Sequence, residues 1–237
     1  VWDDVSDAVL VFNDALKITW SNRSGCEMLR TQGVWPEGVP GGERPASGPV
    51  ALAEIVPPTV AAERRSMMQS LAEPGSCIRV VGMLFGRWMR VVYRALPSPP
   101  RAIPNGVGPQ GGTWLGVHTP LSECAGHAPH PTPAGQHTAA VAGEARAQAD
   151  DLGDLSDLTE RELQVLRLIG LGMSTQEMSD ALGRSVKTVE GHRLSLGEKL
   201  GQHSKVGLAR LSIAAGLTLL PTEEIARIAH RAARRRS

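Results

Sequence analysis

The sequence predicts an α+β chain: an N-terminal antiparallel sheet with helices, a flexible linker, and a C-terminal all-α four-helix module. Three observations carry this. Short runs of alternating apolar and polar residues fill the first half, as half-buried strands require. The stretch from Ser122 to about Ala149 is dominated by Ala, Pro, Gly, Gln and His and has no apolar periodicity. From Leu158 onward, helix-start and helix-stop signals recur at close intervals. The expected boundaries are 1–121 for the sheet domain, 122–154 for the linker, 155–217 for the helical module and 218–237 for a basic C-terminal helix.

Size and composition agree with two globular units. The chain has 237 residues, 41% of them hydrophobic and 21% charged, and its 26 glycines and 17 prolines point to long loops. No apolar run approaches the ~20 residues a membrane-spanning helix needs, so no membrane partner and a cytoplasmic location are expected. Cys26, Cys77 and Cys124 are too few and too scattered for a disulfide framework or zinc site and read as incidental thiols. The net charge of +1 decides little, because local distribution governs binding to a polyanion.

In the first half, Val9 to Asn13 and Lys17 to Asn22 form a candidate hairpin around Asp14. Thr59 to Leu71 reads as a helix, with Val60, Arg64, Met67 and Leu71 at helical spacing. Strands are expected at Cys77 to Leu84, Arg87 to Leu96 and Thr113 to Thr119, the first two joined by Phe85-Gly86. In the tether, His127, His130 and His137 lack a surrounding cysteine or carboxylate cluster and carry no metal expectation.

The second half is more explicit. Thr159 with Glu162 makes a capping box, with Leu158 and Leu163 as its hydrophobic staple; Ser174 with Glu177, and Met173 with Met178, repeat the device. Gly172, Gly183 and Gly201 are placed to end successive helices, and Ser185 and Ser204 to begin them. A short helix, a three-residue turn and a longer helix is the arrangement that presents its second helix to a DNA major groove. Arg184, Lys187, Arg193, Lys199, Lys205 and Arg210 outnumber Glu190 and Glu198 there, giving a locally basic surface.

The run LTERELQVLRLIGLGMSTQEMSDALGRSVKTVEGHRLSLGEKLG closely resembles the LuxR-type, or GerE-like, helix-turn-helix. The resemblance spans residues 155 to 217 and implies four helices, of which the third reads double-stranded DNA and the fourth forms a homodimer. It places Lys187, Glu190, Gly191 and Leu194 on the groove side and Val189, Leu196 and Leu200 toward the core. Lys187, Thr188, Arg193 and Lys199 are then candidates for phosphate contact, with Ser195 on the same helix. Glu190 could accept from a cytosine amino group and Leu194 could meet a thymine methyl. Glu190 stands where many relatives carry lysine, which should weaken nonspecific affinity. Gly191 and Gly197 each cost the helix up to ~1 kcal/mol relative to alanine. In the fourth helix Leu208, Leu211, Ala214 and Ala215 are the expected dimer face. Thr222 is expected to cap a last helix ending in Arg231, Arg234, Arg235 and Arg236.

The segments SDAVLVFNDALKITWSN (Ser6 to Asn22), LAEIVPP (Leu52 to Pro58) and FGRWMRVVYRALP (Phe85 to Pro97) resemble a PAS sensor domain, with Thr31 to Pro49 as a long loop. A phosphoacceptor receiver is excluded because no lysine occurs between Lys17 and Lys187. PAS domains hold haem, flavin or metabolites, but no ligand set is evident here. His118, on the last strand, is a haem-ligand candidate weighed against a satisfied strand histidine, and the expectation is a cofactor-free domain. No paired carboxylates, nucleophile elbow, P-loop or metal cluster suggests an enzyme. The reading is therefore a transcription regulator that binds promoter DNA, with RNA polymerase as a further partner. The alternatives are a sigma-factor-like promoter-recognition protein, or an interaction protein whose helix-turn-helix does not bind DNA.

Overall fold

A computed structural model of the chain describes residues 6–33, 50–71, 73–96, 114–121 and 141–234. Cys124, His127, His130, His137 and residues 34–49 of the long loop lie outside them. The chain divides into two compact units. One comprises residues 1–82, 89–120 and 130–149; the other comprises 83–88, 121–129 and 150–237.

The first unit is built on a sheet. Its opening hairpin is β1 (Ala8–Phe12) and β2 (Lys17–Ser21), with Val11 opposite Trp20. Helix α1 (Arg23–Thr31) follows at once, because Asn22 is extended and its side chain accepts from the Gly25 amide. The same Asn22 oxygen accepts from Val9 N, tying the helix start to β1. Short elements β3 (Val50–Ala51) and α2 (Leu52–Ile55) lead into α3 (Pro58–Gln69), which starts with proline at its first position. Val60, Ala61, Arg64 and Met68 are its buried face, so Met68 takes the place expected of Met67.

Strands β4 (Cys77–Leu84), β5 (Arg87–Ala95) and β6 (Trp114–Pro120) fall where the alternation predicts them. Phe85 and Gly86 both have positive φ, 54° and 69°, as a two-residue hairpin turn between right-twisted strands requires. Strand β7 (Val141–Arg146) lies inside the stretch expected to be a tether and pairs parallel with β4, Val80 opposite Ala145. The sheet order is β3-β2-β1-β6-β5-β4-β7, so the expected antiparallel sheet is in fact mixed. The tether expectation fails here because Val141 to Arg146 lacks alternation yet can still add to a sheet edge through its backbone alone. Beyond β7, Glu63 on α3 accepts from the amides of Gln148 and Ala149 at 2.7 and 2.8 Å.

The second unit is helical. A 3-10 turn at Gly153–Leu155 precedes α4 (Glu160–Gly170), α5 (Thr175–Leu182), α6 (Val186–Leu200) and α7 (Lys205–Ala214); after a second 3-10 turn, α8 (Thr222–Ala233) follows. Leu158, Leu163, Leu166, Ile169, Met178, Val189, Leu196 and Leu208 form its core. Gly170 lets α4 approach α7 closely: a Cβ there would meet Ser212 Oγ and lie 2.8 Å from the Thr218 methyl. Within this unit Met83–Trp88 is held by main-chain bonds, Asp151 N to Met83 O and Trp88 N to Ala215 O. Among the described residues no helix is long and apolar enough to cross a membrane.

Candidate nucleic-acid interface

Both expected capping boxes are formed. Thr159 Oγ1 accepts from Glu162 N while Glu162 Oε2 accepts from Thr159 N at 2.7 Å, and Ser174 with Glu177 repeats the exchange. Helix α5 ends at Gly183 in the left-handed region, φ 59° and ψ 42°, and Ser185 then caps α6 by accepting from Thr188 N. Three residues thus separate an eight-residue helix from a fifteen-residue one. The left-handed Gly201 closes α6, and Ser204 caps α7.

Helix α6 has two unlike sides. Val189, Leu196 and Gly197 are buried and Leu200 half-buried, as a core-facing stripe should be. On the other side Lys187, Thr188, Glu190, Gly191 and Leu194 are exposed, Leu194 to 61%. Residues three, four and seven apart fall on one helical edge, so Lys187, Glu190, Gly191 and Leu194 form a single strip. A Cβ at Gly191 would meet nothing within 4 Å, so the strip has a shallow saddle at its centre where another surface can come close to the backbone. Arg193 lies beside the strip, half-buried, with its Nε covered and unpartnered among the described residues.

Glu162 holds this helix in place. Its side chain is almost fully buried on α4 and receives Lys199 Nζ at 2.8 Å, Ser195 Oγ at 2.6 Å and the Thr159 hydroxyl. Lys199 also donates to Asp157 O. Burial alone would raise the Glu162 pKa, but the hydrogen bonds from Lys199, Ser195 and Thr159 outweigh it and bring it down to about 2. Ser195 and Lys199, expected among the DNA-contacting residues, both donate to Glu162; Ser195 is half-buried, whereas Lys199 remains exposed at the end of the helix.

The expected dimer face on α7 also divides. Leu208 and Ala215 are buried in the unit's own core, whereas Leu211 and Ala214 are exposed beside Val206 and Ile213. His118, on β6 of the other unit, is buried with both ring nitrogens unpartnered among the described residues, so it is not the satisfied strand histidine expected.

A short helix, a three-residue turn and a longer helix that packs on α4 and carries a solvent-facing polar and basic edge have the layout of a helix-turn-helix domain. Residues 156–212 match the family model described as bacterial regulatory proteins, luxR family, so the C-terminal part of this chain is a LuxR-type helix-turn-helix domain. The transcriptional regulatory protein UhpA of Escherichia coli K12 is 47% identical over 58 residues, 24% of this chain and 30% of UhpA. The oxygen regulatory protein NreC of Staphylococcus aureus is 41% identical over 56 residues, 24% of this chain and 26% of NreC. The chain therefore covers less than a third of either relative. Solved structures of phage VqmA with DPO and of the Vibrio cholerae VqmA dimer align over 95% of this chain and 91% and 89% of theirs. Their identities are 15% and 20% and their TM-scores 0.41 and 0.36. At those scores the likeness fixes neither the ligand nor the activity of this chain.

Proposed function

We propose that the chain is a DNA-binding transcriptional regulator that couples a PAS-like sensory or interaction domain to sequence-specific promoter binding. The observation that carries the reading is the outward strip of α6, backed by a buried carboxylate that fixes the helix from behind. Lys187, Thr188 and Arg193 contact phosphate and set the register; Glu190, Gly191 and Leu194 face base edges. The protein acts as a homodimer in which Val206, Leu211, Ile213 and Ala214 of α7 meet their copies, because these apolar side chains are exposed together on one short helix. RNA polymerase is a further partner, and the site of action is the cytoplasm.

A salt-titrated binding assay on promoter fragments recovered by genome-wide mapping tests this. The expected result is affinity that falls steeply with salt and a preferred subset of sites. Glu190, a carboxylate on the groove-facing edge, favours one second reading, a helix-turn-helix that binds protein instead. Absent DNA affinity, or affinity indifferent to salt, would select it.

A further inference from the structure

Within the helical unit, Met83–Trp88 forms a tongue gripped by two consecutive aspartates. Met83 N donates to the Asp150 carboxylate at 3.2 Å, and Asp151 N donates in return to Met83 O at 3.0 Å. Asp151 also accepts from Phe85 N on its carboxylate and from Gly86 N on its carbonyl, both at 3.1 Å. The Asp150 carboxylate is met on its other oxygen by α8. Arg231 Nε pairs with Asp150 Oδ2 at 3.2 Å, and Arg231 Nη2 stands 3.7 Å from Glu224 Oε1, seven residues earlier on the same helical edge. Both carboxylates are 3% exposed, so each needs its cation. Arg227 pairs with the second Glu224 oxygen at 2.7 Å, which leaves Arg231 as the link from α8 to Asp150.

The two halves of this pairing differ in how easily they move. Asp150 is buried and followed by Asp151, whose main chain and side chain are both bonded to the tongue. Arg231 lies in the last turn of α8, where a helix frays because its final carbonyls have no partner within the helix. Without the guanidinium, the Asp150 carboxylate regains solvation only by turning toward water, and that movement takes away the acceptor of Met83 N. The Asp151 bonds to Phe85 and Gly86 do not pass through Arg231 and are kept.

We propose that the last turn of α8 is a latch on this tongue. Wound, it sets Arg231 against Asp150 and holds Met83; unwound, it lets Met83 go while Asp151 keeps Phe85 and Gly86. The tongue therefore has a releasable root at Met83 and a fixed tip. The latch goes beyond the regulator reading and needs no DNA to operate.

Amide hydrogen exchange of the full chain, resolved by residue with nuclear magnetic resonance, tests this. In Arg231→Met the Met83 amide is expected to exchange at least tenfold faster, those of Phe85 and Gly86 less than threefold faster, and the core amides of α4 and α6 at the wild-type rate. Coupling between two sites is reciprocal, so Asp150→Asn should in turn speed exchange in the last turn of α8 at least fivefold. Arg231→Lys keeps a cation and should return Met83 to within threefold of the wild type. If Arg231→Met does not fold, Asp150→Asn decides. Three results would overturn the latch: unchanged Met83 exchange in folded Arg231→Met, an equal rise at Met83, Phe85, Gly86 and the core amides, or an unmoved last turn of α8 in Asp150→Asn. DNA affinity is measured on the same samples. A wild-type chain without it loses the regulator reading and leaves the latch to the exchange rates.

Discussion

At Glu162 one buried carboxylate answers four donors on three residues, and its titration is tied to the fold. Its folded pKa of about 2 lies below the ordinary 4.5, so the stability it contributes is complete above that higher value and disappears as pH falls toward 2. Allowing for screening through the solvent-exposed side of the Lys199 ammonium, the contribution is on the order of 1–2 kcal/mol. We expect Glu162→Gln to lower the stability of the helical unit at pH 7 and to flatten its loss between pH 4.5 and 2. Chemical denaturation at several pH values checks this; parallel curves for the two proteins would contradict it. The outward residues carry a separate prediction. Lys187→Ala and Arg193→Ala should weaken binding to all DNA sequences and reduce the salt slope by about one each. Leu194→Ala should instead change which sequences are preferred, as competition with scrambled sites would reveal. The sequence marks Lys187, Glu190 and Leu194 as one edge through helical spacing alone. It cannot mark Ser195 and Lys199 as partners of Glu162, because that carboxylate is 33 and 37 residues away and the pairing exists only once α4 and α6 pack.

Among the elements, those with local chemistry were legible and those without were not. Helices α4, α5, α6 and α7 announce their starts through Thr159, Ser174, Ser185 and Ser204, each of which accepts from a backbone amide of the first turn. Strands β4 to β6 show the alternation of a half-buried sheet. By contrast, β7 is visible only in what it pairs with, since VAGEAR has neither alternation nor β-branched density. Glycines at the interface divide by conformation. Gly183 has φ 59°, so Gly183→Ala should cost about 1 kcal/mol by forcing a side chain into the left-handed region. Gly191 is mid-helix with open space around it, so Gly191→Ala should stabilise α6 by up to ~1 kcal/mol while placing a methyl where DNA must approach. Thermal melts and DNA titrations on the same pair of variants should therefore move in opposite directions for Gly191→Ala. A variant that is both more stable and equally tight on DNA would argue against the groove-side placement.

Across the whole molecule, the two units are not consecutive stretches of sequence. The helical unit includes Met83–Trp88, the end of β4, the start of β5 and the turn that joins them. Gly86 N donates to Asp151 O, Phe85 N to the Asp151 carboxylate, and Gly216 passes so close to Trp88 that a Cβ would sit 2.8 Å from the Trp88 Cβ. An isolated fragment of residues 150–237 lacks that segment and should melt at a lower temperature than the same helices in the full chain. Adding Met83–Trp88 as a separate peptide is too small a correction to restore it, since the strands supply its shape. Identical melting of fragment and full chain would refute the assignment of these six residues. The composition of Ser122 to Ala149 reads as a tether, yet within the first unit Ala147 N is bonded to Val81 O. Because Ala147 N holds Val81 O and Glu63 takes the next two amides, a slip of β7 by one position along β4 would have to break all three of these bonds together, so the strand is pinned at its far end as a hem is by its last stitches.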